Sequence, residues 1–288
     1  MIARYAITIF LYPGGLFALS AGWFLFSLGE QLSARWRGLP VPRFMQPAHD
    51  FFKLLRKTTS LPAGTETGGV RLLLLLAVIA PLLALVLLPV PGNSAAGIVE
   101  TSGDLLAVLV LLLLPALAPL FLGNLLASPY GRTAAQRATR RAGLLIALLL
   151  LSTLAVAAQR GALSLGILTF PQAHPSPASV ILDMLAGLLF LLCLPALIPQ
   201  VRWGLFAGSL ELIAGPSTDL TGADLALLQL SAALQRVAAG SLLAALFILP
   251  FIPGGPVPQV IIYLATLLLS GLLVGLVGRA GGGYSFAR

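Results

Sequence analysis

Cysteine is almost missing from this 288-residue sequence, Cys193 being the only one. One thiol excludes a disulfide framework and any cysteine-ligated zinc or iron–sulfur centre held by this chain alone. Histidine is nearly as scarce: His49 and His174 stand too far apart in sequence to form a spaced ligand pair. Charge is scarce as well, at 9% of residues, against about 25% in an ordinary water-soluble domain. No phosphate-cradling glycine loop, zinc spacing or nucleophile motif is present, which removes the commonest nucleotide-binding, zinc and hydrolytic classes. A signal peptide is also lacking by this reading. Arg4 precedes an apolar run at 6–28, but that run exceeds the roughly 7–15 residues of a signal core, and no cleavage site ends it.

Apolar residues fill the space that charge vacates. They make up 58% of the chain, and the mean hydropathy is +1.01. Runs long enough to cross a hydrocarbon layer of about 30 Å as helices fall at 6–28, 70–91, 104–127, 142–159, 180–200, 231–252 and 258–278. The expectation is an all-α, polytopic membrane bundle: a single transmembrane domain over 1–288 with seven spanning helices and an interfacial amphipathic helix. Of the 17 Lys and Arg residues, all but Arg4 and Arg160 fall in alternate connections or the C-terminal tail. That bias places 29–69, 128–141 and 201–230 in the cytoplasm, the N-terminus outside and the C-terminus inside. The net charge of +8 is spread along span ends, which suits anionic headgroups and argues against nucleic acid.

Two polar connections carry most of the chemistry. In "QPAHDFFKLLRKTT", 46–59, a helix begun by Pro47 puts Ala48, Phe51, Phe52 and Leu55 on one face, with His49, Asp50, Lys53, Arg56 and Lys57 mostly on the other. Taken alone, that is a helix resting in the membrane interface. The second connection, "SLELIAGPSTDLTGADLALLQ" at 209–229, holds Glu211, Asp219 and Asp224 with no basic residue between Arg202 and Arg236. Carboxylates at a membrane crevice, their ionisation opposed by desolvation, can take up and release protons near neutral pH; the plainer alternative is solvated loop acids. Asp183, one turn inside its span, reads as an acid that reaches water. Trp23, Trp36 and Trp203 read as interfacial anchors, and Cys193 as a packing residue.

"QPAHDFFKLLRK" resembles the QPxxDxxKLxxK signature of the membrane subunit that joins the two arms of respiratory complex I, the NADH–quinone oxidoreductase. That subunit family includes the corresponding membrane proteins of group 4 energy-converting hydrogenases and formate hydrogenlyase. "ELIAGPSTDLTG" is similar to the family's ELVAG…TEYSG loop, and "SPYGRTAAQRATRR" to its third conserved loop. SPYG with "TGADLALLQ" looks closer to the hydrogenase branch. The resemblance implies a multi-pass subunit of a bacterial or archaeal inner membrane, without cofactors of its own. Its implied partners are peripheral iron–sulfur and hydrogenase-like subunits on the cytoplasmic side and antiporter-like subunits in the membrane, with quinone as a possible ligand at the junction. It implies docking roles for Arg35, Arg43, Gln46, Lys53, Lys57, Arg132 and Arg137, and proton coupling by Glu211 and Asp219, with Asp50 and Asp224 secondary.

Departures are equally specific. Thr58 follows the second motif lysine where the family usually has Glu, Ser209 stands for an acid, Gln229 occupies a position often acidic in hydrogenase-like members, and 142–159 holds no acid. After Arg279 the family commonly continues through an eighth helix. Two alternatives follow: a structural anchor without proton coupling, or an independent transporter or channel.

Overall fold

The computed structural model describes residues 10–36, 38, 40–93, 104–169, 176–198, 219–252 and 255–280. Nine helices appear among them: α1 (Gly15–Trp36), α2 (Gln46–Leu55), α3 (Thr67–Leu87), α4 (Asp104–Leu125), α5 (Pro129–Arg160), the short α6 (Leu165–Thr169), α7 (Pro177–Leu197), α8 (Gly222–Leu243) and α9 (Pro256–Ala280). No strand interrupts them among the described residues. Among the described residues, six helices are long and apolar enough to cross a membrane: α3, α4, the Ala142–Arg160 part of α5, α7, α8 extended to Phe251, and the Pro256–Leu276 part of α9. The chain is an all-helical, multi-pass membrane protein.

Expected boundaries move for identifiable reasons. Residues 11–14 form a turn around Pro13, so α1 begins only at Gly15 and runs on to Trp36 instead of ending near 28. Glu30, Gln31 and Arg35 sit in its second half, so α1 is a long bundle helix but not one of the six apolar ones. The segment expected as a cytoplasmic loop at 128–141 is helical, because α5 is continuous over 32 residues. Ser128 caps it, Pro129 opens it, and TAAQRATRRA contains no residue that would stop it. Residues 222–230, also expected in a loop, form the start of α8.

α8 is the centre of the bundle. It is buried over nearly its whole length, whereas no more than half of each other candidate span is buried. After Leu243 the helix widens into one π turn, Ala244–Ile248, then tightens into a 3₁₀ turn, Leu249–Phe251. The widened turn puts Phe247 against Phe190 of α7 at 5.6 Å between ring centroids, over Gly187, where a Cβ would lie 3.2 Å from the Phe247 ring. On the other side α1 packs on α9 through glycine. A Cβ on Gly275 would come within 2.6 Å of the Gly29 Cα, and one on Gly271 within 2.7 Å of Leu25. Lipid tails are as apolar as the helices, so close backbone approach supplies the attraction that the hydrophobic effect cannot.

Asp183 does not reach water. It is 2% exposed and accepts a bond from the Arg160 guanidinium at 2.9 Å. Arg160 also donates to the Leu168 carbonyl, so one buried cation ties together α5, α6 and α7. Two consecutive spans thus end in opposite charges that neutralise one another. Removing either partner strands the other in an apolar site, at a cost of about 3–5 kcal/mol. Arg160→Leu and Asp183→Leu should each lower the thermal unfolding temperature of the detergent-solubilised protein sharply. The double variant should lose less than the two single losses combined, a comparison differential scanning fluorimetry can make.

A candidate docking surface and polar pocket

The polar connections converge on one end of the bundle. α2 is entered through Met45, whose φ of 67° turns the chain in the left-handed region, with Pro47 in the first turn. Gln31 donates to the Pro42 carbonyl at 3.2 Å, holding the incoming loop to the end of α1. Ala48 is the buried residue of α2. Phe51 lies against Trp23 of α1 at 5.5 Å and Phe52 at 6.2 Å, so Trp23 supports α2 in addition to any contact with headgroups. Phe52 and Leu55 remain 56% and 45% exposed, leaving an apolar edge beside Lys53, Arg56 and Lys57, all exposed.

Further contacts bring the loops together. Thr221 joins Ser60 by hydrogen bonds to its amide, carbonyl and hydroxyl at 2.7, 2.9 and 2.9 Å. Gly222 stands at φ +60°, and a Cβ there would lie 2.7 Å from the Lys57 carbonyl oxygen. The amide of Ala127 donates to Thr65. Gly123 and Gly131 meet so closely that a Cβ on Gly123 would strike the Gly131 carbonyl at 2.5 Å, and Asp219 Oδ2 sits beside Gly131 at the start of α5. The positive end of that helix favours a carboxylate there.

Asp224 is 2% exposed and lies 3.8 Å from Arg71, whose side chain is largely open. One oxygen each of Asp219 and Asp224 is buried with no hydrogen-bond partner among the described residues. Asp50 and Gln46 turn instead into a pocket of about 270 Å³ between α1, α2 and α8, which they share with Trp23, Phe26, Glu30, Gln229 and Arg236. Arg236 is 8% exposed and stacks over the Phe26 ring at 4.3 Å.

The predicted residues therefore separate into groups. Gln46 and Asp50 line the pocket; Asp219 and Asp224 lie under the converging loops; Arg35, Arg43, Lys53, Lys57 and Arg132 are exposed. Glu211 lies outside the described residues, as does the side chain of Arg137, whose backbone belongs to α5. Glu30 and Arg236 were not singled out from sequence. Their signal was available, as ionisable groups inside otherwise apolar helical runs, but Arg236 reads as a loop charge until α8 is seen to start at Gly222. Among the described residues no group of three or more His, Cys, Asp or Glu side chains could hold a metal.

The whole is a polytopic helical membrane bundle with a buried central helix, an amphipathic helix at one end and a charged pocket between them. The chain belongs to the NADH dehydrogenase family, whose model matches residues 36–279; it is of the type found in the membrane arm of complex I. A chain in the structure of the membrane-bound sulfane sulfur reductase (MBS), an archaeal respiratory membrane complex, shares the fold with a TM-score of 0.73. The two are 23% identical, and the match covers 98% of this chain and 89% of that one. No curated protein sequence matches.

The Trp23 contacts predict how firmly α2 is held. Aromatic pairs of this kind contribute about 0.5–1.5 kcal/mol each. Trp23→Ala should therefore let α2 lift away several-fold more often. In membrane vesicles, trypsin should cut after Lys53, Arg56 or Lys57 correspondingly faster than in the unmodified protein.

Proposed function

We propose that this chain is the membrane-arm subunit of a complex I-like oxidoreductase of the hydrogenase-related branch. It anchors the peripheral iron–sulfur module on its cytoplasmic end and passes the redox event to proton or sodium movement in neighbouring antiporter-like subunits. The observation that supports this reading best is the pocket shared by Glu30, Gln46, Asp50 and Arg236, set between the amphipathic helix and the buried central one. Ionisable groups inside a membrane bundle are costly and mark pathways for ions or protons. The exposed cations of α2 beside it suit an acidic partner surface, and the pocket's size suits a ring-sized ligand such as a quinone headgroup.

In this reading the chain carries no electrons itself; the clusters belong to its partners. Lys53, Lys57 and Arg132 face the peripheral module, while Glu211 and Asp219 couple its reduction to ion movement, with Asp50 and Asp224 assisting. The competing reading is a structural anchor. It draws on Gln229, which puts a neutral amide into the pocket where hydrogenase-like relatives often hold an acid.

Two measurements separate these readings. Reversing charge with Lys53→Glu plus Lys57→Glu should cut co-purification of an iron–sulfur subunit by at least about tenfold, as like charge across an interface costs several kcal/mol. Undiminished capture would remove the docking role. Glu211→Gln and Asp219→Asn should leave the complex assembled while abolishing ion movement in vesicles; unchanged movement in both variants would favour the anchor.

A further inference from the structure

Helix α8 opens in an unusual way. Its N-cap is Thr221, a residue type whose hydroxyl ordinarily accepts a bond from an amide in the first helical turn. Here Thr221 makes no such cap. Its hydroxyl is committed across the molecule instead, to the amide, carbonyl and hydroxyl of Ser60, 161 residues away in sequence. The next residue, Gly222, has the backbone of the 57–58 turn pressed against it. A side chain there would meet the Lys57 and Thr58 carbonyl oxygens at 2.7 and 2.8 Å, and φ is +60°. Only glycine holds that conformation without strain while leaving room for another backbone. The helix start is shaped to receive the segment that leaves α2.

We propose that Thr221 and Gly222 form a clamp that fixes α2 to the N-terminus of α8, so that the two helices move as one. Resting on the docking role proposed above, the clamp identifies Thr221 and Gly222 as positioning residues. A push on α2 from a docked partner reaches Thr221 through the 57–60 turn. It then travels down α8, a helix buried on all sides. The polar pocket is bounded by these two helices and α1, with Gln46 and Asp50 on α2 and Gln229 and Arg236 on α8. The clamp therefore sets the separation of the two polar sides of the pocket. The same turn is where Thr58 replaces an expected acid, and the Thr58 backbone carbonyl lies against Gly222.

The test uses the intact complex in membrane vesicles, supplied in turn with NADH, reduced ferredoxin, formate and hydrogen to find the donor that drives it. Electron transfer and membrane potential, the latter read with an oxonol dye, are measured together. Thr221→Val keeps the shape and deletes the hydroxyl. It should leave the amount of assembled complex and the electron-transfer rate unchanged, while potential per electron transferred falls to less than about half. Thr221→Ser should restore it. Ser60→Cys with Thr221→Cys, oxidised to a cross-link, should retain the unmodified ratio, because a covalent bond preserves what a clamp does. An unchanged ratio in Thr221→Val would overturn the proposal. So would loss of coupling on cross-linking, which would make the contact a gate that has to open.

A second readout decides the clamp without turnover. Trypsin should cut after Lys57 several-fold faster in Thr221→Val than in the unmodified protein, and equal rates would overturn the clamp. If the unmodified complex transfers electrons but builds no potential, the coupling role fails and the proteolysis result still judges the clamp.

Discussion

A polar side chain in the middle of a membrane bundle must find its partner within protein, because the lipid offers none. α8 brings Asp224, Gln235, Arg236 and Ser241 into that situation, all buried, and each partner comes from a different helix. Asp224 faces Arg71 of α3, and Gln235 donates to the Leu112 carbonyl of α4 at 2.6 Å. Arg236 rests on Phe26 of α1, and Ser241 meets the Tyr263 hydroxyl of α9 at 2.9 Å. The arrangement of the outer helices follows from this requirement. The Gln235 contact lies beside a proline. Pro115 leaves the Leu111 carbonyl of α4 without its helical donor, next to the Leu112 carbonyl that accepts from Gln235.

The same requirement shows why a charged pocket can exist at the end of such a bundle. Its acids and its arginine are carried on three separate helices, and α2 is held over them by aromatic stacking on one flank and hydroxyl bonds on the other. A small change in the seat of α2 alters the spacing between Asp50, which it carries, and Glu30 and Arg236 on the neighbouring helices.

Much of this was readable in the sequence where the controlling signal is local. Apolar run length revealed the membrane class, and the alternation of faces in 46–57 revealed α2. Three ordered motifs pointed to the family to which the chain belongs. Long-range pairing was much less readable. Asp183 looked like an acid able to reach water because its partner, Arg160, stands on the preceding span. Arg236 looked like a loop charge because a basic residue normally marks a span boundary; its seat over Phe26 depends on α1 and α8 touching. The helical character of 128–141 was hidden by its charge, although every residue from 133 to 142 is compatible with a helix. Thr221 and Gly222 carry no local signal of their role, which comes from the contact with Ser60, 161 residues away.

The continuity of α5 has a consequence for assembly. At a rise of 1.5 Å per residue its 32 residues extend roughly 48 Å, against a hydrocarbon thickness of about 30 Å. Its first turns, with Arg132, therefore stand clear of the membrane as a rigid post instead of a floppy tether. A backbone already held as helix there has little conformational entropy left to lose in any contact it makes. The geometry at this end of the bundle is thus imposed from the lipid side outward.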